Sequence, residues 1–126
     1  MLKVIDLDHI VVNVADVERA LGFYCDALGL APVRVDEWRR QEVPFPSARV
    51  NASTIIDLLP LARPGENIDH FCLVVEPTDL AAVAASGRFE VVSGPVQRYG
   101  AKGDGMSLYV RDPDGNLVEL RYYEEA

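Results

Sequence analysis

Two apolar, β-branched runs stand out along the chain, residues 10–14 and 71–75, and each predicts a buried strand. After the first, Asp16 is placed to cap a helix. Val17, Ala20, Leu21, Tyr24 and Leu28 then recur at helical spacing, and Gly29 stops them. After the second, Thr78 or Asp79 caps the run 80–85, and Gly87 ends it. Short strands are expected over 33–40, 48–51 and 53–60, and again over 89–95, 106–112 and 116–123. Asp112-Pro113-Asp114-Gly115-Asn116 predicts a hairpin turn, because Pro presets one dihedral and Gly permits a left-handed one. Pro60, Pro64 and Gly65 mark 60–67 as a connector.

The pattern is therefore the same twice. Leu7-Asp8-His9 and Ile68-Asp69-His70 each open one of the apolar runs, so the histidines hold equivalent places in the two halves. Ile55-Ile56-Asp57-Leu58 resembles Leu117-Val118-Glu119-Leu120, and the two carboxylates keep nearly the same separation as the two histidines. Self-similarity at this distance predicts one domain, 1–126, built from two strand-helix-three-strand modules, 1–60 and 67–126, joined by a short linker.

Composition supports a single core: 126 residues with 49% hydrophobic content suit one compact domain and are short for two independent ones. Twelve basic against 20 acidic residues give a net charge of −8, which disfavours nucleic acid and anionic membranes as partners. A small-molecule substrate is the better expectation. With no signal-like or membrane-spanning apolar stretch, a cytoplasmic protein is expected. Cys25 and Cys72 are too few for a disulfide framework and form no C-x-x-C pair, so both read as small buried residues.

The repeat gives its polar members a meaning that none has alone. His9 and His70 are the chain's two histidines, and Asp57 and Glu119 each lie between apolar neighbours. A carboxylate so placed is costly to bury unless it is paired or binds a cation. If the two modules curve toward each other, their first and last strands bring His9, Asp57, His70 and Glu119 to one point. Two imidazoles and two carboxylates suit a divalent first-row metal such as Mn, Fe, Co, Ni or Zn.

LDHIVVNVADVERALGFYCDALGL and SLYVRDPDGNLVELRYY resemble the vicinal oxygen chelate superfamily. This superfamily groups glyoxalase I, extradiol dioxygenases, fosfomycin-resistance enzymes, methylmalonyl-CoA epimerase and bleomycin-resistance proteins. The resemblance covers essentially the whole chain. It implies an α+β fold in which two tandem β-α-β-β-β modules form an open cupped, mostly antiparallel sheet around a metal site. It also places His9, His70 and Glu119 on the family's ligand positions. Asp57 falls where glyoxalase I and the epimerase commonly have Glu or Gln, and its carboxylate reaches about 1.5 Å less far.

The activity implied is that of a divalent-metal-dependent lyase or isomerase of the glyoxalase I type. Its substrate is chelated through adjacent oxygens, and Asp57 or Glu119 serves as general base, Asp57 being preferred as the weaker ligand. The alternatives are an extradiol-type Fe(II) dioxygenase using His9, His70 and Glu119, with Tyr99, Tyr109, Tyr122 or Tyr123 beside the metal, and a metal-free drug-binding protein. A fosfomycin-type transferase fits less well, since Val11 stands where those enzymes carry a hydroxyl residue. Trp38, Arg98 and Lys102 are candidates to touch substrate, together with Cys72 and Arg121, which lie two positions beyond His70 and Glu119. Arg121 is expected to pair with Asp57, to meet an anionic substrate, or to stand solvated at a strand end. Small members of the family dimerise, often with each metal held by both chains, so a homodimer is expected.

Overall fold

The computed structural model describes residues 2–61, 65, 67–111 and 115–124. The fold is α+β: β1 (Val4–Asn13), α1 (Val17–Leu21) continuing into a π-helical stretch (Gly22–Ala27), β2 (Ala31–Val33), α2 (Val35–Arg39), β3 (Ser47–Arg49), β4 (Ile55–Leu59), β5 (Ile68–Val75), α3 (Leu80–Ala85), β6 (Glu90–Gly100), β7 (Gly103–Arg111) and β8 (Leu117–Tyr122). The chain forms two compact units, His9–Asp69 and Met1–Asp8 with His70–Ala126, so β1 divides its length between them. None of the described helices is long and apolar enough to cross a membrane.

In the unit His9–Asp69, β1 pairs parallel with β4, placing Val11 opposite Asp57. β4 pairs antiparallel with β3, Ser47 opposite Asp57, and β3 antiparallel with β2. In the other unit β5 pairs parallel with β8, placing Cys72 opposite Glu119. β8 pairs antiparallel with β7, Tyr109 opposite Glu119, and β7 antiparallel with β6. Both units thus use the strand order first, fourth, third, second, and each parallel pair needs a crossover that carries a helix. The repeat seen in the sequence is a repeat in register: each carboxylate lies opposite the residue two beyond its unit's histidine.

Each helix buries one face on its own unit. Val17 and Leu21 pack with Leu58, joined by Val14, Ala20, Tyr24, Trp38 and Ile56. Leu80 packs with Val75, Leu108, Val110 and Leu120. Asp16 accepts from the Arg19 N–H at 3.1 Å and Asp79 from the Ala82 N–H at 3.1 Å, so the caps are the expected aspartates and Thr78 is not one of them. Gly29 and Gly87 take φ values of 79° and 77°, which end the two helical segments.

Three expectations are corrected. Leu28 does not continue the buried face: its N–H donates to the Phe23 carbonyl at 3.0 Å, five residues back, and the wider turn leaves Leu28 57% exposed. The strand expected over 33–40 is instead the short β2 followed by α2. Arg34 takes a left-handed φ of 59° and turns the chain, after which Val35 and Trp38, three apart, both pack on the helical core. Asp36 and Glu37 in the first turn and Arg39 in the last suit the helix dipole.

The third correction concerns β6, which runs past Pro95 to Gly100 and is the edge strand of its unit. Pro95 is tolerated there because the register shifts on either side of Ser93 mark a bulge. Gly94 has φ 101°, and a Cβ there would lie 2.6 Å from the Ser107 carbonyl oxygen. Residues 112–114 of the expected turn, and 62–64 and 66 of the connector, lie outside the described residues. Antiparallel pairing from Arg111 opposite Leu117 is present on either side of the turn.

Candidate functional site

Each unit sets its histidine near a carboxylate on the neighbouring strand. In the unit containing His70, β5 and β8 bring His70 Nε2 to 3.1 Å from Glu119 Oε1. Glu119 is buried and the His70 side chain is 13% exposed, so the imidazole keeps an accessible edge. The other carboxylate oxygen, Oε2, accepts from Ser107 Oγ at 2.7 Å and from Arg121 Nη2 at 2.8 Å, with Arg121 Nε at 3.3 Å. The Tyr109 ring lies edge-on to the imidazole, 5.6 Å between centroids at 74°. Burial, and then the charge of Glu119, push the Tyr109 phenol well above its usual range, so it stays a proton donor.

In the unit His9–Asp69 the same parts recur with looser spacing. His9 and Asp57 are both buried, and His9 Nε2 lies 3.9 Å from Asp57 Oδ2, beyond hydrogen-bond reach. Asp57 Oδ1 accepts from Ser47 Oγ at 2.5 Å. The shorter side chain is one reason for the gap. Ser47 stands directly opposite Asp57, whereas Ser107 stands opposite Arg121, and Glu119 reaches it diagonally.

The donor chemistry fits a divalent metal. A ligating carboxylate is held by hydrogen bonds to the oxygen that does not ligate, and each carboxylate here has one oxygen fixed by a strand serine and the other on its histidine's side. In one unit His70 and Glu119, and in the other His9 and the shorter Asp57, are residue types suited to ligate such an ion. Ser47 and Ser107 were absent from the sequence reading. Their signal was present, since the stretch of chain between the two serines is almost as long as that between the two carboxylates.

The remaining candidates divide clearly. Arg121 is fully buried, with Glu119, Tyr99, Gly103 and Tyr123 as its partners, so a position facing solvent or an anionic substrate gives way to one inside its own unit. Burial lowers its pKa, and the Glu119 charge and hydrogen bond, together with Cys72 and Tyr123, more than reverse this and leave it raised. Cys72 is buried beside Glu119 in the strand register. Trp38 is half-buried in its unit's helical core. Arg98 is exposed and donates to the Gln97 carbonyl, and Lys102 is exposed with its backbone N–H donating to the Tyr123 hydroxyl. Among the described residues, none of these three is hydrogen-bonded or ion-paired to the histidine-carboxylate pair of its own unit.

The chain matches the glyoxalase/bleomycin resistance protein/dioxygenase superfamily over residues 6–120. It is 33% identical over 121 residues to virulence protein STM3117 of Salmonella typhimurium, covering 93% of this chain and 83% of that one. It is also 33% identical over 138 residues to the glyoxalase domain-containing protein RDO1 of Mycosarcoma maydis, covering 99% and 72%. The fold matches the Mn(II)-bound glyoxalase of Novosphingobium aromaticivorans with a TM-score of 0.67 at 22% identity, over 100% of this chain and 44% of that one. It matches methylmalonyl-CoA epimerase of Streptomyces coelicolor with a TM-score of 0.66 at 20% identity, over 98% and 100%.

Proposed function

The chain belongs to the glyoxalase/bleomycin resistance protein/dioxygenase superfamily, and from that premise we propose that it is a divalent-metal-dependent lyase or isomerase of the glyoxalase I type. Its substrate is a small molecule held through two adjacent oxygens. The observation that carries this reading is the matched pair of carboxylates, each with one oxygen fixed by a serine and the other on the side of a histidine. In the proposal His9, His70 and Glu119 hold one ion of Zn, Ni, Co, Mn or Fe. When bound, such an ion supplies Lewis-acid stabilisation of the negative charge that develops on a substrate oxygen.

The two carboxylates divide the labour. Glu119 is clamped by a serine and a guanidinium, which suits a permanent ligand. Leu59 follows Asp57 by two positions, as Arg121 follows Glu119, so no guanidinium comes from that place to clamp Asp57. Asp57, the shorter carboxylate and the weaker ligand, is the general base: it takes the proton from the substrate carbon and returns it to a carbon of the product. Ser47, on Oδ1, orients Asp57 so that Oδ2 receives the proton.

A second reading, extradiol-type dioxygenation with iron, is supported by Tyr109 beside His70, since its raised pKa keeps it a proton donor. A cytoplasmic homodimer completes the proposal, with small molecules rather than nucleic acid or membranes as partners. The test is elemental analysis of protein purified without added metal, followed by assays on α-ketoaldehyde thiohemiacetals, acyl-CoA epimers and catechols. Nickel, cobalt, zinc or manganese with proton-transfer turnover supports the first reading, and iron with catechol cleavage the second. A metal-free protein indifferent to chelator overturns both. A change in oligomer size on chelation supports a metal shared between chains.

A further inference from the structure

Beyond the carboxylate and its serine, β8 carries a residue whose placement is costly. The Arg121 side chain has 0% of its surface exposed. Its seat is built on every side. Nη2 donates to Glu119 Oε2 at 2.8 Å and to the Tyr99 carbonyl at 3.0 Å, while Nη1 donates to the Gly103 carbonyl at 3.4 Å and the Tyr123 hydroxyl at 3.1 Å. Tyr123 also lays its ring 5.3 Å from the guanidinium carbon, and its hydroxyl donates to Asp8 Oδ1. The buried Asp8 carboxylate is held in turn by the Ala101 N–H, which donates to Oδ2 at 3.0 Å.

The backbone makes room for this seat. A Cβ on Gly100 would lie 2.0 Å from Arg121 Nη1, 2.5 Å from its Cζ and 2.6 Å from Asp8 Oδ2. Gly100 has no left-handed backbone angle, so the guanidinium is the reason a side chain cannot stand there. Burying a charge in this way is unfavourable unless its hydrogen bonds are met, and well-packed apolar residues often serve stability as well. Leu59, at the corresponding place in the other unit, is apolar and half-buried. Stability alone therefore leaves the arginine unexplained.

We propose that Arg121, seated over Gly100 and backed by Tyr123 and Asp8, is a positioning residue that sets the direction in which Glu119 presents its ligating oxygen. The inference rests on the reading of Glu119 and His70 as metal ligands. Arg121 Nη2 and Nε converge with Ser107 Oγ on Oε2, and this leaves Oε1 facing His70 Nε2. The planar fork matters as well as the charge, because it approaches Oε2 from a fixed direction that an ammonium does not impose.

The test titrates Co(II) into the full chain after chelator treatment, reading both the dissociation constant and the visible absorption of the bound ion. Arg121→Met weakens Co(II) binding by about 10–100-fold and alters the spectrum, the range for residues that hold a ligand in place. Arg121→Lys restores the charge without the fork and leaves most of that loss. Gly100→Ala displaces the guanidinium with every polar side chain intact and weakens binding in the same direction. Added to Arg121→Met, it weakens Co(II) binding little further, since the guanidinium it would displace is already gone. Tyr123→Phe, which removes one hydroxyl, gives the smallest loss.

Unchanged affinity and spectrum in folded Arg121→Met, or full rescue by Lys, overturns the positioning role while wild-type Co(II) binding preserves the metal reading. If Arg121→Met does not fold by circular dichroism, Gly100→Ala and Tyr123→Phe decide: weakened, spectrally altered binding supports the inference, and wild-type behaviour in both overturns it. A wild-type chain that takes up no Co(II), or takes it up as well as His70→Ala does, overturns the metal reading itself.

Discussion

The two units hold the same chemical parts to different tolerances. His70 and Glu119 sit 3.1 Å apart, with the far oxygen of the carboxylate held by a serine and a buried arginine. His9 and Asp57 sit 3.9 Å apart, with a serine on the far oxygen and a leucine where the arginine would be. The two units share one register while their carboxylates differ in length and support. On the proposed reading, the tight unit supplies a fixed ligand and the looser one a carboxylate able to take up and release a proton.

The sharpest way to break that comparison is to neutralise each carboxylate. Glu119→Gln is expected to abolish stoichiometric metal binding. Asp57→Asn is expected to retain metal and lose turnover by about 100- to 10,000-fold, the usual contribution of a general base. Metal content and kcat, measured on both variants, check this. If both lose metal equally, the division of roles is wrong.

The unit cores give the next largest effects. Leu58→Ala and Leu108→Ala each remove a fully buried side chain from one unit. Each should cost about 2–5 kcal/mol in denaturant unfolding. The serines come next. Ser47→Ala leaves Asp57 without its short hydrogen bond and should cost about 1–3 kcal/mol, while Ser107→Ala should cost less, because Arg121 still holds Oε2. Equal costs, measured by the same denaturant unfolding, would remove the asymmetry assigned to Arg121.

The smallest effect lies at high pH. Burial, and then the hydrogen bond to Asp8, raise the Tyr123 phenol above its ordinary value of 10.0. The folded chain therefore holds this proton where the unfolded chain releases it. The resulting stability is complete below about pH 10 and is lost as pH rises toward the folded value. Tyr123→Phe should flatten the alkaline decline in stability followed by denaturant midpoints from pH 8 to 12.

Much of this was legible in the sequence because a repeat constrains several residues at once. The histidines, the carboxylates, both helix starts and most strands follow from LDH, IDH and the two apolar-flanked acids. The helix over Val35–Arg39 was not, because Val33 and Val35 alternate like a strand, and only the left-handed turn at Arg34 and the packing of Trp38 decide between the two. The serines were overlooked because a serine in a strand carries no signal until register shows which carboxylate it faces. The same holds for Arg121. Its spacing from Glu119 was visible, but its seat depends on Gly100, one strand pair earlier, and on Asp8, near the opposite end of the chain.

The central claim is that the histidines and Glu119 bind a metal. Elemental analysis of the chain purified without added metal, alongside His70→Ala, tests it most directly. The predicted result is one divalent ion per wild-type chain, removable by chelator, and none in the variant. A metal-free wild-type chain, or equal metal in folded His70→Ala, would contradict it.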